Sequence, residues 1–141
     1  MKTTFLNLFF LVVSFSIFAQ SEEESIRKTL QNYLDGSSYN NTEQIQSAFY
    51  EDAPLFLSKE GQEIYLLSPK EYADLFKKRE KGKFNGREGK ILSIDQSNDI
   101  AMAKAEIKIP ARNMHFIDIF LLKKLEGQWK IISKAATLMP E

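Results

Sequence analysis

From Lys90 to Leu138 the chain reads as four long β segments in succession, and nothing else in the sequence restricts the fold as tightly. The segments are Lys90–Asp95, Ile100–Ile109, Met114–Leu125 and Gln128–Leu138. Ser97-Asn98 and Glu126-Gly127 supply two-residue hairpin turns, so the strands they join run antiparallel. If Glu126-Gly127 sets the register, Leu125 pairs with Gln128 and Asp118 falls opposite Ala135. One face then carries Phe116, Asp118, Phe120, Leu122, Trp129, Ile131, Ser133 and Ala135, and the other Ile117, Ile119, Leu121, Ile132 and Ala136. Both are apolar, so both need cover. Helices can cover one. A second subunit is the natural cover for the other, giving a homodimer, unless loops fold over it.

The helices come first in the chain. Ser21 with Glu24 forms a capping box, followed by Ile26, Leu30, Tyr33 and Leu34 on one helical face, and Gly36 is expected to stop this helix. Asn41 with Gln44 caps a shorter helix whose apolar face is Ile45, Ala48 and Phe49. Ser68-Pro69-Lys70-Glu71 is the strongest start signal: a cap residue, proline at the first helical position and glutamate three on. The helix it launches turns Tyr72, Leu75 and Phe76 inward, and Lys77, Lys78 and Arg79 trail at its negative end. Two shorter strands, Ala53–Leu57 and Glu63–Leu67, flank a Glu60-Gly61 turn. Helices followed by a long antiparallel sheet make an α+β domain.

The N-terminus addresses the chain. Lys2 precedes an apolar run from Phe5 to Ala19, roughly 15 residues long and short of the ~20 that a membrane span requires. Residues 1–19 therefore read as a signal peptide and 20–141 as the mature domain, exported to the periplasm or the medium with no membrane attachment after cleavage. The chain has no cysteine, which removes a disulfide framework and a lipid-anchored cysteine alike. A single histidine, His115, excludes a zinc site of the usual nitrogen and sulfur kind, and no cofactor is expected. Losing Lys2 from the 19 basic residues leaves the mature chain one charge short of its 19 acidic groups, so there is no basic excess for nucleic acid. The Lys77–Lys83 charge run, with Phe84, reads as a solvated helix end and loop. Asn40-Asn41-Thr42 matches a glycosylation acceptor.

The order of these segments resembles the putative lumazine-binding family of the nuclear transport factor 2-like superfamily, which is SnoaL-like and cystatin-like in fold. The carrying segments are Phe49–Ala53, the capped helix at Ser68–Phe76, Ile91–Asp95, Phe116-Ile117-Asp118 and Lys124–Lys134. The resemblance implies three N-terminal helices packed in a strongly curved antiparallel sheet, a cone with a small-molecule pocket, and frequent dimers. Relatives often carry a histidine where Tyr50 stands and an aromatic–histidine pair where Ala136-Thr137 stands. This chain has neither, so no proton-transfer role carries over to those positions.

Asp118 is the foremost candidate for chemistry. A carboxylate among Phe116, Phe120 and Trp129 is costly unless it is paired, hydrogen-bonded or protonated. It is either a polar group bordering a pocket or a structural aspartate held by Ser133, Thr137 or a lysine. His115 at the strand's start could change charge near neutral pH, and is otherwise an edge or interface residue. Tyr33, Phe49, Tyr72, Phe76, Phe116 and Trp129, with Asp118 and Ser133, are the expected ligand-binding set; the aromatics are core first and pocket wall second. No nucleophile elbow, phosphate loop or dinucleotide fingerprint is present. The expected function is an exported domain binding a small apolar or aromatic molecule without evident catalysis. The alternative is a small cofactor-free acid/base enzyme, an isomerase or cyclase, using Asp118.

Overall fold

A computed structural model of the chain describes residues 21–59 and 61–140; the leader, Glu60 of the expected turn and Glu141 lie outside them. Helix α1 covers residues 21–38, followed by α2 (Thr42–Ala48), β1 (Leu55–Lys59), β2 (Gln62–Leu67) and α3 (Pro69–Asp74). Then come β3 (Glu88–Ser97), β4 (Ile100–Ile109), a 3-10 turn at Pro110–Arg112, β5 (Met114–Leu125) and β6 (Gln128–Leu138). The six strands form one curved, unclosed sheet in the order β2-β1-β6-β5-β4-β3. Every neighbouring pair is antiparallel except β1 with β6, where Leu55 aligns with Lys134 and Phe56 with Ala135 in parallel.

Local chemistry accounts for the element ends, not always where the sequence reading put them. Ser21 is already helical, so it is not the cap expected there. Gly36 does not stop α1. The helix runs two residues further and ends where Asn40 takes a left-handed φ of 57° and Asn41 N–H closes back on the Gly36 carbonyl at 2.9 Å. Gly36 serves close approach instead: a Cβ there would lie 2.9 Å from both the backbone nitrogen and Cγ1 of Ile45. In α2 Asn41 is the cap, accepting from Gln44 N–H, and in α3 the Ser68–Glu71 capping box is complete. Of the α3 residues expected inward, Tyr72 and Phe76 are buried while Leu75 is half exposed.

The Glu126-Gly127 turn has φ of 49° and 80°, the left-handed pair a tight hairpin needs. The earlier hairpin turns one residue later than expected: Ser97 still pairs with Ile100, so Asn98-Asp99 forms the loop. The register of β5 on β6 also departs from a plain count. Leu121 pairs with Ser133 but Leu122 with Ile131, so Ile132 bulges and every later partner moves by one, placing Asp118 opposite Ala136 and not Ala135. Ser133 and Ala135 thereby leave the inner face, and Lys134 and Ala136 take their places.

The helices cover that inner face. Ile26, Leu30, Tyr33 and Leu34 of α1 and Ile45 of α2 pack on Ala103, Ala105 and Ile107 of β4, Phe120 and Leu122 of β5, and Trp129 and Ile131 of β6. The small residues of β4 let α1 lie close to the sheet. Glu22 fastens its first described turn, accepting from Trp129 Nε1 at 2.8 Å and Lys124 Nζ at 2.6 Å. The outer face stays apolar and exposed at Phe56, Leu66, Met102, Ile119 and Leu121.

Candidate functional site

Asp118 is central to the one buried polar cluster the sequence pointed to. Alternation along β5 turns Phe116, Asp118 and Phe120 inward, and the Ile132 bulge turns Lys134 inward beside them. Lys134 Nζ donates to Asp118 Oδ2 at 2.8 Å. The Tyr33 hydroxyl of α1 donates to the same oxygen, also at 2.8 Å. Since that spends Tyr33's only hydroxyl proton, the 3.1 Å contact between the Tyr33 and Tyr72 hydroxyls has Tyr72 as donor. Arg87 fills the remaining acceptor position, its NH2 donating to Tyr33 OH at 2.9 Å and lying 3.9 Å from Asp118 Oδ2.

The surroundings act on two titratable groups of this cluster, Tyr33 and Arg87. Burial first, then the charge of Asp118 and the Tyr72 phenol, holds the Tyr33 pKa well above its ordinary value. Burial works against the Arg87 charge, but Tyr72, Tyr33 and Asp118 together outweigh it and raise the guanidinium pKa further. Tyr33 is clamped edge-on between Phe49 and Phe120, with ring centroids 5.5 and 5.4 Å away.

Arg87 is placed by the end of α1. Asn85 donates its amide to the Ser37 carbonyl and to Asn40 Oδ1, both at 2.7 Å, and its own Oδ1 accepts from Arg87 N–H at 3.0 Å. Ser38 Oγ donates to the Arg87 carbonyl at 2.6 Å. Asn40 in turn donates to the carbonyls of Glu80 and Lys83, so the basic run, solvated at its side chains as expected, is also anchored along its backbone. That use leaves Asn40 only 4% exposed, closing the glycosylation acceptor in the folded state.

A cavity of about 360 Å³ opens beside this cluster. Tyr65, Tyr72, Phe76, Phe116 and Met114 supply aromatic and apolar wall, and Lys59, Arg79 and Arg112 stand exposed at its rim. A recess of about 130 Å³ continues inward, sharing Leu57, Ser58, Tyr72, Arg87 and Phe116 with the cavity and reaching Asp118 and Lys134. Asp118 is 1% exposed and two donors occupy its Oδ2. A general base must bring an oxygen within about 3 Å of a substrate proton. Here Oδ2 is committed to Tyr33 and Lys134.

The structure gathers some of the expected residues and separates others. Tyr72, Phe76 and Phe116 line the cavity, Asp118 the recess, and Tyr33 lies behind them, bonded to Asp118, Tyr72 and Arg87. Phe49 meets the Tyr33 ring and lines neither the cavity nor the recess. Trp129 is at the far end of the sheet beside Glu22, and Ser133, turned away by the bulge, reaches only the Pro54 carbonyl at 3.4 Å. Of the holders considered for Asp118, the lysine is the one that acts. His115 lies 3.0 Å from Glu106 on the neighbouring strand, away from the cavity. Arg87 and Arg112, in loops and turns, were not singled out in the sequence, and Arg79 was read only as a cation at the end of the third helix. Among the described residues no cluster of His, Cys, Asp and Glu could hold a metal, and no helix is long and apolar enough to cross a membrane.

An α+β domain whose curved sheet and three helices enclose a side-opening cavity defines the class: a cone-shaped, nuclear transport factor 2-like fold. The chain belongs to the Putative lumazine-binding family, whose profile matches residues 21–135. Among solved structures, a nuclear transport factor 2-like protein of unknown function from Silicibacter pomeroyi DSS-3 superposes with a TM-score of 0.75 at 18% identity, covering 86% of this chain and 98% of that one. A second, from Methylobacillus flagellatus KT, gives 0.73 at 26% identity, covering 85% and 94%. A ketosteroid isomerase-like protein from Erwinia carotovora atroseptica SCRI1043 gives 0.61 at 15% identity, covering 84% and 96%. No curated protein matches the sequence.

Proposed function

We propose that the mature protein is an exported binding domain whose cavity takes up a small apolar or aromatic molecule without transforming it. The observation that carries this reading is the pairing of an aromatic-walled cavity of about 360 Å³ with an Asp118 whose Oδ2 is already held by Tyr33 and Lys134. The volume suits a molecule of one or two rings, in keeping with a family described as putative lumazine-binding. Mass spectrometry of small molecules that co-purify with the protein tests it.

The acid/base alternative has one observation in its favour: the recess of about 130 Å³ reaches Asp118. A ketosteroid isomerase-like fold neighbour keeps that reading in view, at an identity that carries the fold alone. The sealed geometry of Asp118 favours binding.

The same proposal includes a homodimer through the outer sheet face and export by the leader. Phe56 pairs across to Leu66 and Ala135, Ile119 to Ala135, and Leu121 to Met102, so the exposed apolar side chains form one stripe from β2 to β4. Covering it with a second copy would bury on the order of 1,000 Å² or more.

A further inference from the structure

The chain as a whole is electrically balanced, with 19 basic and 19 acidic residues, yet its cavity is not. Among the described residues, Lys59, Arg79, Arg87 and Arg112 line it and no aspartate or glutamate does. Among the described residues, none of Lys59, Arg79 and Arg112 makes an ion pair, whereas Lys81 and Lys83 nearby are matched to Glu43 and Glu80. Two of the three instead rest on the cavity's aromatic wall. Lys59 Nζ lies 4.5 Å from the Tyr65 ring centroid, and the Arg79 guanidinium 5.8 Å from that of Phe76.

The inner end repeats the imbalance where it is more costly. Arg87 and Lys134 share the single carboxylate of Asp118, and Lys134 holds the shorter contact, 2.8 Å against 3.9 Å. The Arg87 side chain is 12% exposed, and its Nε is a buried donor with no acceptor. The guanidinium therefore keeps an unused N–H donor beside the recess, and an incoming anion would satisfy it. A guanidinium offers paired N–H donors in a plane, the match for a carboxylate.

We propose that the ligand of this cavity is an aromatic or apolar carboxylate, its rings against Tyr65, Tyr72, Phe76 and Phe116 and its carboxylate on Arg87, with Arg79 and Arg112 attracting it at the mouth. This rests on the binding reading above and narrows it to a charge class. The rim cations act over distance and are screened by salt; the contact to Arg87 is buried and is not.

The test uses naphthalene-2-carboxylate and its neutral isostere naphthalene-2-carboxamide, titrated into the mature protein by calorimetry at 0.05 and 0.5 M NaCl. The carboxylate is expected to bind at least tenfold more tightly than the amide at both salt concentrations. The exposed double variant Arg79→Gln/Arg112→Gln should weaken the carboxylate several-fold in low salt and leave the amide unchanged. Arg87→Met should abolish the preference at 0.5 M NaCl, where the rim is screened; if that protein does not fold, the double variant and the salt series still decide. Equal binding of carboxylate and amide would overturn the charge assignment and leave the binding reading standing. A carboxylate preference that vanishes at 0.5 M NaCl would overturn the role of Arg87. Binding of neither probe would overturn both readings.

Discussion

Lys134 Nζ and Asp118 Oδ2 lie 2.8 Å apart on adjacent strands, with both side chains 2% exposed, so the pair is sealed within the inner layer of the sheet. The contact exists because Ile132 bulges: without that extra residue Lys134 would face outward. A buried ion pair contributes little net stability, but removing one member strands the other. Asp118→Asn and Lys134→Met should each cost about 3 kcal/mol in urea denaturation, while Asp118→Asn/Lys134→Met together should cost less than the two single changes added. Additive losses would show that the two side chains do not depend on each other.

Tyr33 gives the cluster an alkaline signature. Its folded pKa is raised by burial above the ordinary 10.0, so the unfolded chain loses this proton first as pH rises. Stability from this group is intact below pH 10 and declines above it. Tyrosine absorbance near 295 nm should show a phenol that does not titrate before the protein unfolds, and Tyr33→Phe should remove it from the count. A full complement of titrating tyrosines in the folded protein would contradict the buried hydrogen-bonded phenol.

Glu22 works at the other end of the pH scale. Its pKa is lowered from 4.5 by hydrogen bonds from Lys124 and Trp129, so its contribution is present above that value and is lost as pH falls through the lower folded value. Glu22→Gln should lower the melting temperature at pH 7, and the gap from the unchanged protein should close as the solution is acidified below pH 4.5. A gap independent of pH would assign the effect to packing alone.

Gly36 separates helix propensity from packing. Alanine is favoured over glycine in a helix by about 1 kcal/mol, so Gly36→Ala in isolation would stabilise α1. The added Cβ would lie 2.9 Å from the Ile45 backbone nitrogen, which is not free to move aside. Net destabilisation of about 1–3 kcal/mol is expected by thermal unfolding. A stabilised variant would mean that α1 and α2 can separate at little cost.

The outer stripe predicts assembly. Ile119→Lys should convert a dimer into a monomer in light scattering, because Ile119 lies mid-stripe and is 47% exposed in the single chain. A monomeric unmodified protein would remove the dimer from the account.

What could be read in the sequence followed from periodicity. The Glu126-Gly127 turn and three of the four long strands leave little freedom, and alternation from Phe116 to Phe120 is enough to turn Asp118 inward. Helical spacing did the same for Tyr33 and Tyr72. The partner of Asp118 was hidden because a bulge is one residue of count, and Ile131-Ile132 offers two equally apolar choices for the inward place. Lysine inward is also the assignment that hydrophobic patterning argues against. Arg87 was hidden for another reason: Asn40, Ser38 and Asn85 fix it from 45 or more residues away in sequence or from a loop without periodicity.

The central claim is that the cavity beside Arg87 holds a small molecule, and blocking it is the direct test. Ser58 lines both the cavity and the recess and is itself exposed, so Ser58→Trp should fill their junction without disturbing the core. Native mass spectrometry of the mature protein purified from its host should show a bound organic molecule, absent from the Ser58→Trp protein, with circular dichroism unchanged between the two. An unmodified protein that carries no such molecule, or an adduct that persists in Ser58→Trp, would contradict the account.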